Sequence, residues 1–430
     1  LVERAVAVMT PRQPLPPAPF VAVAGLSARL LAQSAARAGL RVAALDIFGD
    51  RDTRDVAEVW CGVGESGSES GGETGNGSGD EGNGLAIDRE RLTRALQRVA
   101  RLPHFLGWIG GGGLEPLIAQ WRDAPGLPRF IGNDAEASAA VREPRRFFAL
   151  LDELRIPHPA VSFTRPAVAQ GWLFKHADGC GGTHIKAVSE LDMKVLPAQG
   201  YFQRLSRGRS LSTLFVAAQG RAQPVGFAEQ LTCEIGDLPF VHAGSIGPID
   251  VPPQVAARMR CALDALCART GLVGLNSCDF LLDGDAFELL EINARPSSTM
   301  ALYETASPDA WPHGLLACHL DACRFGRLPP GASTALASRP RWRAGQRVLF
   351  APRPFTVSAG FSDACLRDPQ CCDVPMPGTR IETGQPVCTL LVRAASTDAV
   401  RCALDAQRTL VLQRIETCDE PDHVRLHAHV

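Results

Sequence analysis

SCDFLLDGDAFELLEINARPSS, residues 277–298, holds two apolar-rich runs joined at Asp283-Gly284. Asp-Gly between such runs is a strong hairpin signal. Side chains alternate faces along a strand, so Glu291, Asn293 and Arg295 share one face while Leu290 and Ile292 turn to the core. Folding back at the Asp-Gly turn brings Asp279 near positions 288–289, diagonal to Glu291. Two carboxylates and an amide oxygen then converge at one end of the hairpin. Hard oxygen donors of this kind suit Mg²⁺, which keeps waters and is completed by phosphate oxygens. Arg295, one step further, can hold phosphate oxygens bidentately. A solvated polar face would explain E-x-N-x-R by itself. Asp279 across the turn, with a glycine-rich element upstream, favours a metal site.

That element is FKHADGCGGTHIK, residues 174–186. Lys175 closes an apolar strand, and Gly179, Gly181 and Gly182 let the backbone approach a ligand and offer N–H groups to phosphate. The order is strand–loop–strand, so it is not a G-x-x-x-x-G-K-[ST] loop opening a helix. GLSARL at residues 25–30 does not match G-x-G-x-x-G, which argues against a nicotinamide site. GYFQRLSRG (200–208) reads as a strand leaving into a loop. GGGGLEP (110–116) reads equally as a pocket-lining turn or a plain strand-to-helix turn. GFAEQLT (226–232) offers Glu229 as a substrate-side carboxylate or an ordinary strand residue.

Around these stretches the chain has the composition of a globular protein, with 430 residues, 45% hydrophobic and 21% charged. Its 44 basic and 46 acidic side chains nearly balance, which gives no general attraction to nucleic acid or anionic membrane. The 14 cysteines are scattered without C-x-x-C, as expected of reduced thiols used as apolar filler. No apolar run is long enough to span a bilayer, and residues 1–20 lack a signal-peptide core, so a cytoplasmic location is expected. VAVAG, then LSARLLAQSAARAG, then LRVAALD (21–46) form a βαβ unit of a parallel sheet. Residues 65–84 are glycine, serine and acid without an apolar side chain and are expected to be disordered. Helices are expected at 87–100, 144–154, 253–270 and 398–415, another beginning at Leu114, and a hairpin turning at Gln219-Gly220. Beyond 328 a linker leads into short strands. His423, His427 and His429 could bind zinc, with a frayed tail as the simpler account.

FKHADGCGG, FQRLSRG and SCDFLLDGDAFELLEINARPS, in this order and spacing, resemble the ATP-grasp superfamily. The branch most similar is the ATP-dependent carboligases related to biotin carboxylase, over residues 20–328. The resemblance implies an α/β and α+β multidomain fold. It has a flexible arm at 1–19 and a pre-ATP-grasp parallel βαβ domain at 20–135 with the insertion at 64–84. A two-lobed ATP-grasp domain follows at 136–328, its central lobe at about 155–205, then a small β-rich C-terminal domain at 340–430. It implies that Lys175 contacts ATP phosphate and that Gly181 and Gly182 close over the phosphates. Gln203, Arg204 and Leu205 would form the adenine hinge, largely through backbone groups. Asp279, Glu291 and Asn293 would bind Mg²⁺, with two ions expected and Mn²⁺ an alternative, and Arg295 would be catalytic, stabilising the transferring phosphoryl group. Two positions depart from the family pattern. The hinge reads QRL without a glutamate, and the early ATP lysine is absent, leaving Arg145 or Arg146 as substitutes.

The resemblance further implies an ADP-forming ligase that activates a carboxylate as an acyl phosphate for attack by an amine, with a place in cofactor biosynthesis. Its partners would be small-molecule carboxylate and amine substrates, with a homodimer as one assembly. RPSSTMALYE replaces the Q-V-E-H run of biotin carboxylases, and PMPGTRIETGQP lacks the lysine of a biotin or lipoyl turn. Both favour the carboxylate–amine ligase. The alternatives are a bicarbonate-using carboxylase and a nucleotide-binding regulatory module without turnover.

Overall fold

The computed structural model describes residues 17–64, 86–115, 118, 124–177, 179, 181–191, 200–329 and 340–419. The expected insertion, most of the N-terminal arm, the linker after 329, the three C-terminal histidines and most of the helix expected from Leu114 lie outside these residues.

The chain opens with β1 (Phe20–Ala24), α1 (Arg29–Arg37), β2 (Arg41–Asp46), α2 (Arg51–Arg54), β3 (Val59–Gly62), α3 (Arg89–Val99) and β4 (Phe105–Gly110). The four strands form one sheet in the order β3-β2-β1-β4, all neighbours parallel. β1 is buried along its whole length, as expected of a strand covered on both faces. The Asp46 carboxylate at the end of β2 accepts the N–H of Ala28 at 3.0 Å and fixes where α1 begins. Gly39, at φ 76°, turns the chain out of it.

Next come α4 (Ala135–Arg142), α5 (Pro144–Leu154), β5 (Val161–Ser162), β6 (Trp172–His176), β7 (Ile185–Ala187) and β8 (Gly200–Arg204). These strands make a small sheet in the order β5-β8-β6-β7. Phe174, Phe202 and Val188 form its own apolar cluster. Lys175 lies in register with Tyr201, and Leu173 with Gln203, so these four share the opposite face.

The largest sheet uses β9 (Arg209–Ala218), β10 (Arg221–Ile235), β11 (Leu238–Ile249), β12 (Gly274–Asp283) and β13 (Ala286–Asn293). Between β11 and β12 runs α6 (Pro253–Thr270), whose apolar stripe through Val255, Met259, Leu263 and Leu266 packs into the main core. Gln219 and Gly220 both have positive φ, which makes the β9–β10 connection the tight turn that their sequence announces. Then follow α7 (Met300–Ala306), α8 (Gly314–Phe325), β14 (Arg343–Phe350), β15 (Phe355–Thr356), α9 (Ala359–Arg367), β16 (Cys371–Cys372), β17 (Arg380–Ile381), β18 (Pro386–Ala394) and α10 (Thr397–Glu416). Of the C-terminal strands, β15 and β17 pair with each other, whereas β14, β16 and β18 join the large sheet. β14 pairs with β11, and the sheet runs β13-β12-β9-β10-β11-β14-β18-β16. Among the described residues, no helix is long and apolar enough to cross a membrane.

Polar ties through Asn133 and Arg29 are among those that hold the N-terminal sheet to the rest. Asn133 donates to Asn276 Oδ1 at 2.8 Å and to the carbonyl of Ala294 at 2.9 Å, and accepts the N–H of Val273 at 2.7 Å. Arg29 reaches Asp373 across the molecule at 2.8 Å. The first tie ends one residue before Arg295, so it fixes the hairpin end against the carboxyl edge of the parallel sheet.

Candidate active site

The carboxylate hairpin is β12–β13, closed at Asp283–Ala286 around Gly284 with φ 57°. Its register differs from plain alternation. Asp279 pairs directly with Glu291 and Phe280 with Leu289, leaving Leu290 as an extra residue. This is a β-bulge, which shifts one strand by a residue and re-aims its side chains. Two expectations are corrected by it. Asp279 stands opposite Glu291 and not diagonal to it. Leu290 lines the cleft beside Glu291, while Leu289, 0% exposed, takes the core position.

Asp279, Glu291 and Asn293 are thereby brought together. Asn293 Nδ2 donates to Asp279 Oδ2 at 3.2 Å and lies 3.5 Å from Glu291 Oε1. The Asp279 carboxyl is pushed up to about 8, by burial first and then by the Glu291 charge, against hydrogen bonds from Ser212 and Gln230 that favour ionisation. Burial works in the same direction on Glu291. The Lys175 charge, a bond from Asp279, and His184 and Arg142 outweigh it and hold Glu291 below the ordinary glutamate value. Glu291 is crowded by protein yet open to water along the cleft. Two facing carboxylates therefore share one proton at neutral pH.

A divalent cation fits this donor set, because it would replace the proton and relieve the same repulsion. Among the described residues no group of three or more His, Cys, Asp or Glu is arranged around a metal. Two carboxylates suit an ion that keeps waters and phosphate oxygens as its remaining ligands.

Lys175 faces the pair from β6 and is 6% exposed. Burial lowers its pKa, while Glu291 and Asp279 pull it upward. The glycine loop closes the cleft from above. His242 N–H donates to the Gly181 carbonyl at 2.8 Å, and Gly182 sits against the Phe240 carbonyl. The cleft beneath the loop holds a cavity of about 50 Å³. A Cβ at Gly182 would lie 1.8 Å from the Phe240 oxygen, at φ 79°. Gly182→Ala is expected to raise the KM for ATP about tenfold or more, from a displaced loop and a left-handed alanine, without moving the melting temperature by more than a few degrees. Steady-state kinetics and a thermal scan check this.

Gln203, Arg204 and Leu205 separate in the structure. The backbone N–H of Arg204 is taken by Ala160 and that of Leu205 by Gly171. Both donors of the expected backbone hinge are thus occupied. Arg204 turns over Trp172, and Leu205 is 52% exposed. Gln203, 1% exposed, keeps its amide nitrogen without a hydrogen-bond partner among the described residues. It lies on the sheet face that carries Tyr201 and Lys175, and Tyr201 lines the cleft.

Arg295 lies at the other end of the cleft. Its Nε donates to Glu115, and its guanidinium would meet a Cβ on Gly112 at 3.6 Å. Gly112 and Glu115 of the GGGGLEP stretch thus adjoin Arg295. Glu115, 6% exposed, also accepts the Gly113 N–H at 2.7 Å. Burial would raise its pKa, but Arg295 and Arg142 hold it below the ordinary value. Glu115 positions Arg295 across the boundary of two sheets. Glu115→Gln keeps one acceptor and loses the charge. It is expected to lower kcat by up to ~10²-fold, as displacement of a positioned group does, with the KM for ATP within about threefold. A rise in KM alone would contradict that role.

Sequence reading missed Arg142, Glu115, Ser212 and Gln230. Arg145 stacks on Phe163 and Arg146 pairs with Glu136, whereas Arg142 reaches the Ala177 carbonyl and acts on Glu291. The available signal was Pro144, which starts a new helix and leaves Arg142 ending the one before. Glu229 is engaged by Arg209 at 3.0 Å and Arg401 at 2.6 Å, which gives it a structural part.

The family model of the ATP-grasp domain matches residues 145–299. No curated protein matches this chain by sequence. Among solved structures, the chain is similar to biotin carboxylase from Campylobacter jejuni, at TM-score 0.63 and 13% identity, covering 94% of this chain and 96% of that one. An L-amino acid ligase from Bacillus licheniformis gives TM-score 0.63 and 13% identity over 92% and 97%. N5-carboxyaminoimidazole ribonucleotide synthetase from Thermus thermophilus gives 0.58 and 15% over 92% and 98%. At such identities the likeness is one of fold. Residues 145–299, where the glycine loop and the carboxylate hairpin face each other across one cleft, match the ATP-grasp domain, and the chain as a whole shares the fold of these solved structures.

Proposed function

We propose that the chain joins a carboxylate to an amine in an ATP- and Mg²⁺-dependent reaction that releases ADP and phosphate. The observation that carries this is the face-to-face Asp279–Glu291 pair, set between Lys175 and Arg295. A carboxylate oxygen of the substrate attacks the γ-phosphorus, the bond to the β-phosphate oxygen breaks, and ADP leaves. The amine then attacks the acyl carbon, phosphate departs, and the amine gives up a proton to solvent.

Asp279 and Glu291 would hold Mg²⁺, which supplies charge neutralisation and alignment of the phosphate oxygens. Lys175 offsets phosphate charge from the small sheet. Arg295, anchored by Glu115, holds charge on the transferring group at the side facing the parallel sheet. Gly181 and Gly182 permit the loop to close and exclude water. Gln203 is suited to read the base, because its buried amide lies on the face that leads to Lys175.

The test is ADP release over pooled carboxylic acids with pooled amines. ADP formation that requires Mg²⁺, a carboxylate and an amine supports the reading. ADP formation with bicarbonate alone would replace it by a carboxylase. ATP binding without release of ADP across the pools would leave a binding module.

A further inference from the structure

Away from the cleft, three thiols meet on one buried face of the C-terminal segment. Cys371 and Cys388 lie on neighbouring strands, β16 and β18, where Cys371 pairs with Leu390 and Cys388 is two residues along. Cys365 projects from α9 and is 0% exposed, Cys388 2% and Cys371 7%. Cys365 and Cys371 share one neighbour, Arg414, on this face. Helix α10 covers them with two polar side chains. Gln407 Nε2 approaches Cys371 Sγ at 3.4 Å, and Arg414 Nη1 lies 3.9 Å from both Cys365 Sγ and Cys371 Sγ. Asp368 orients both donors, accepting from Gln407 at 2.6 Å and from Arg414 at 3.1 Å.

Thiols used as filler sit in apolar surroundings, where burial pushes them up, as at Cys267 and Cys323, both to about 12. Cys371 moves the other way. Bonds from Cys365 and Cys388 lower it against burial. A sulfur served by two thiols, an amide and a guanidinium has the surroundings of a nucleophilic thiolate.

We infer that Cys371 is an oxidation site and that Cys365 resolves it to a disulfide. The oxidant class is a hydroperoxide. The Cys371 thiolate attacks one peroxide oxygen, an S–O bond forms, the O–O bond breaks, and hydroxide leaves and takes up a proton. The Cys365 thiol loses its proton and attacks the Cys371 sulfur. The S–S bond forms as S–O breaks, and water leaves. Two thiols and one hydrogen peroxide become one disulfide and two waters. The strand carrying Cys371 continues through Cys372 to Asp373, the residue that Arg29 and Ser27 engage from the N-terminal segment. Oxidation therefore acts on the segment that joins the two ends of the chain.

The test uses the full chain, reduced and then exposed to one equivalent of hydrogen peroxide at pH 7. Free thiols are alkylated and peptides mapped by mass spectrometry. Expected is a loss of two thiols per chain, a Cys365–Cys371 linked peptide, and recovery of both thiols with dithiothreitol. In Cys365→Ser, dimedone should label Cys371. No thiol loss, or a linkage that leaves out Cys371 or Cys365, would overturn the inference. Arg414→Gln preserves bulk and is expected to slow alkylation of Cys371 about tenfold at pH 7 relative to exposed Cys402. An unchanged ratio would also overturn it.

Discussion

Glu291→Gln lowers the rate of ADP formation at saturating ATP by about 10³-fold, the range seen when a charge-stabilising group is removed from a group-transfer site. The substitution is nearly isosteric, so cleft shape and bulge are preserved. It removes the charge that keeps Asp279 protonated, since Glu291 is the largest influence on that carboxyl after burial. Asp279 then ionises more readily, and Lys175 keeps a partner. One carboxylate remains where two faced each other, and the Mg²⁺ concentration for half-maximal rate should rise as well. Unchanged melting temperature with lost turnover is the expected pattern. Turnover within tenfold of the parent protein would remove Glu291 from the reaction and with it the proposed function.

Much of this site was legible because its chemistry is local in sequence. Glu291 and Asn293 follow strand alternation, Arg295 lies just past the strand end, Asp279 is returned by a two-residue turn, and Lys175 precedes its own glycine loop. The bulge at Leu290 was not legible. Leu289 and Leu290 are chemically alike, and only packing against the core decides which one points inward. Arg142 and Glu115 were missed for a related reason. Each acts on a residue more than a hundred positions away, Glu115 on Arg295 and Arg142 on Glu291. No local pattern encodes such a meeting.

The same contrast holds for the fold. The parallel βαβ start, the β9–β10 hairpin and helix α6 follow from periodicity and glycine stops. That β14 joins β11 and extends the large sheet is a long-range pairing. The proline- and glycine-rich turns around it read equally well as a separate unit. The hinge shows propensity overridden by tertiary contact. QRL marks a strand end, but Ala160 and Gly171 take the N–H groups that a backbone hinge would offer.

Arg29→Met destabilises the protein by about 3–5 kcal/mol at neutral pH, the loss expected when one partner of a buried ion network is removed. Arg29 is 4% exposed and donates to Asp373 at 2.8 and 3.2 Å, with Asp52 at 3.6 Å. Asp50 is buried beside them, so one guanidinium serves three carboxylates. Burial raises Asp50 first and its acidic neighbours raise it further, while Arg29 opposes them. Burial likewise raises Asp52 against Arg29. Asp373 differs, because Arg29 overcomes burial and holds it below the ordinary value. Removing Arg29 moves all three upward. A carboxyl raised in the folded state contributes stability below its unfolded pKa, about 3.9 for aspartate. That contribution is lost as pH climbs through the folded value. Asp373 now loses the opposite contribution, which was present at neutral pH. Both changes have the same sign, so the gap between variant and parent widens from pH 5 to pH 8. Urea unfolding at pH 5, 6.5 and 8 measures it. A gap that is flat in pH, or below about 1 kcal/mol throughout, would show that these carboxylates reach solvent and that Arg29 does not hold the two ends of the chain together.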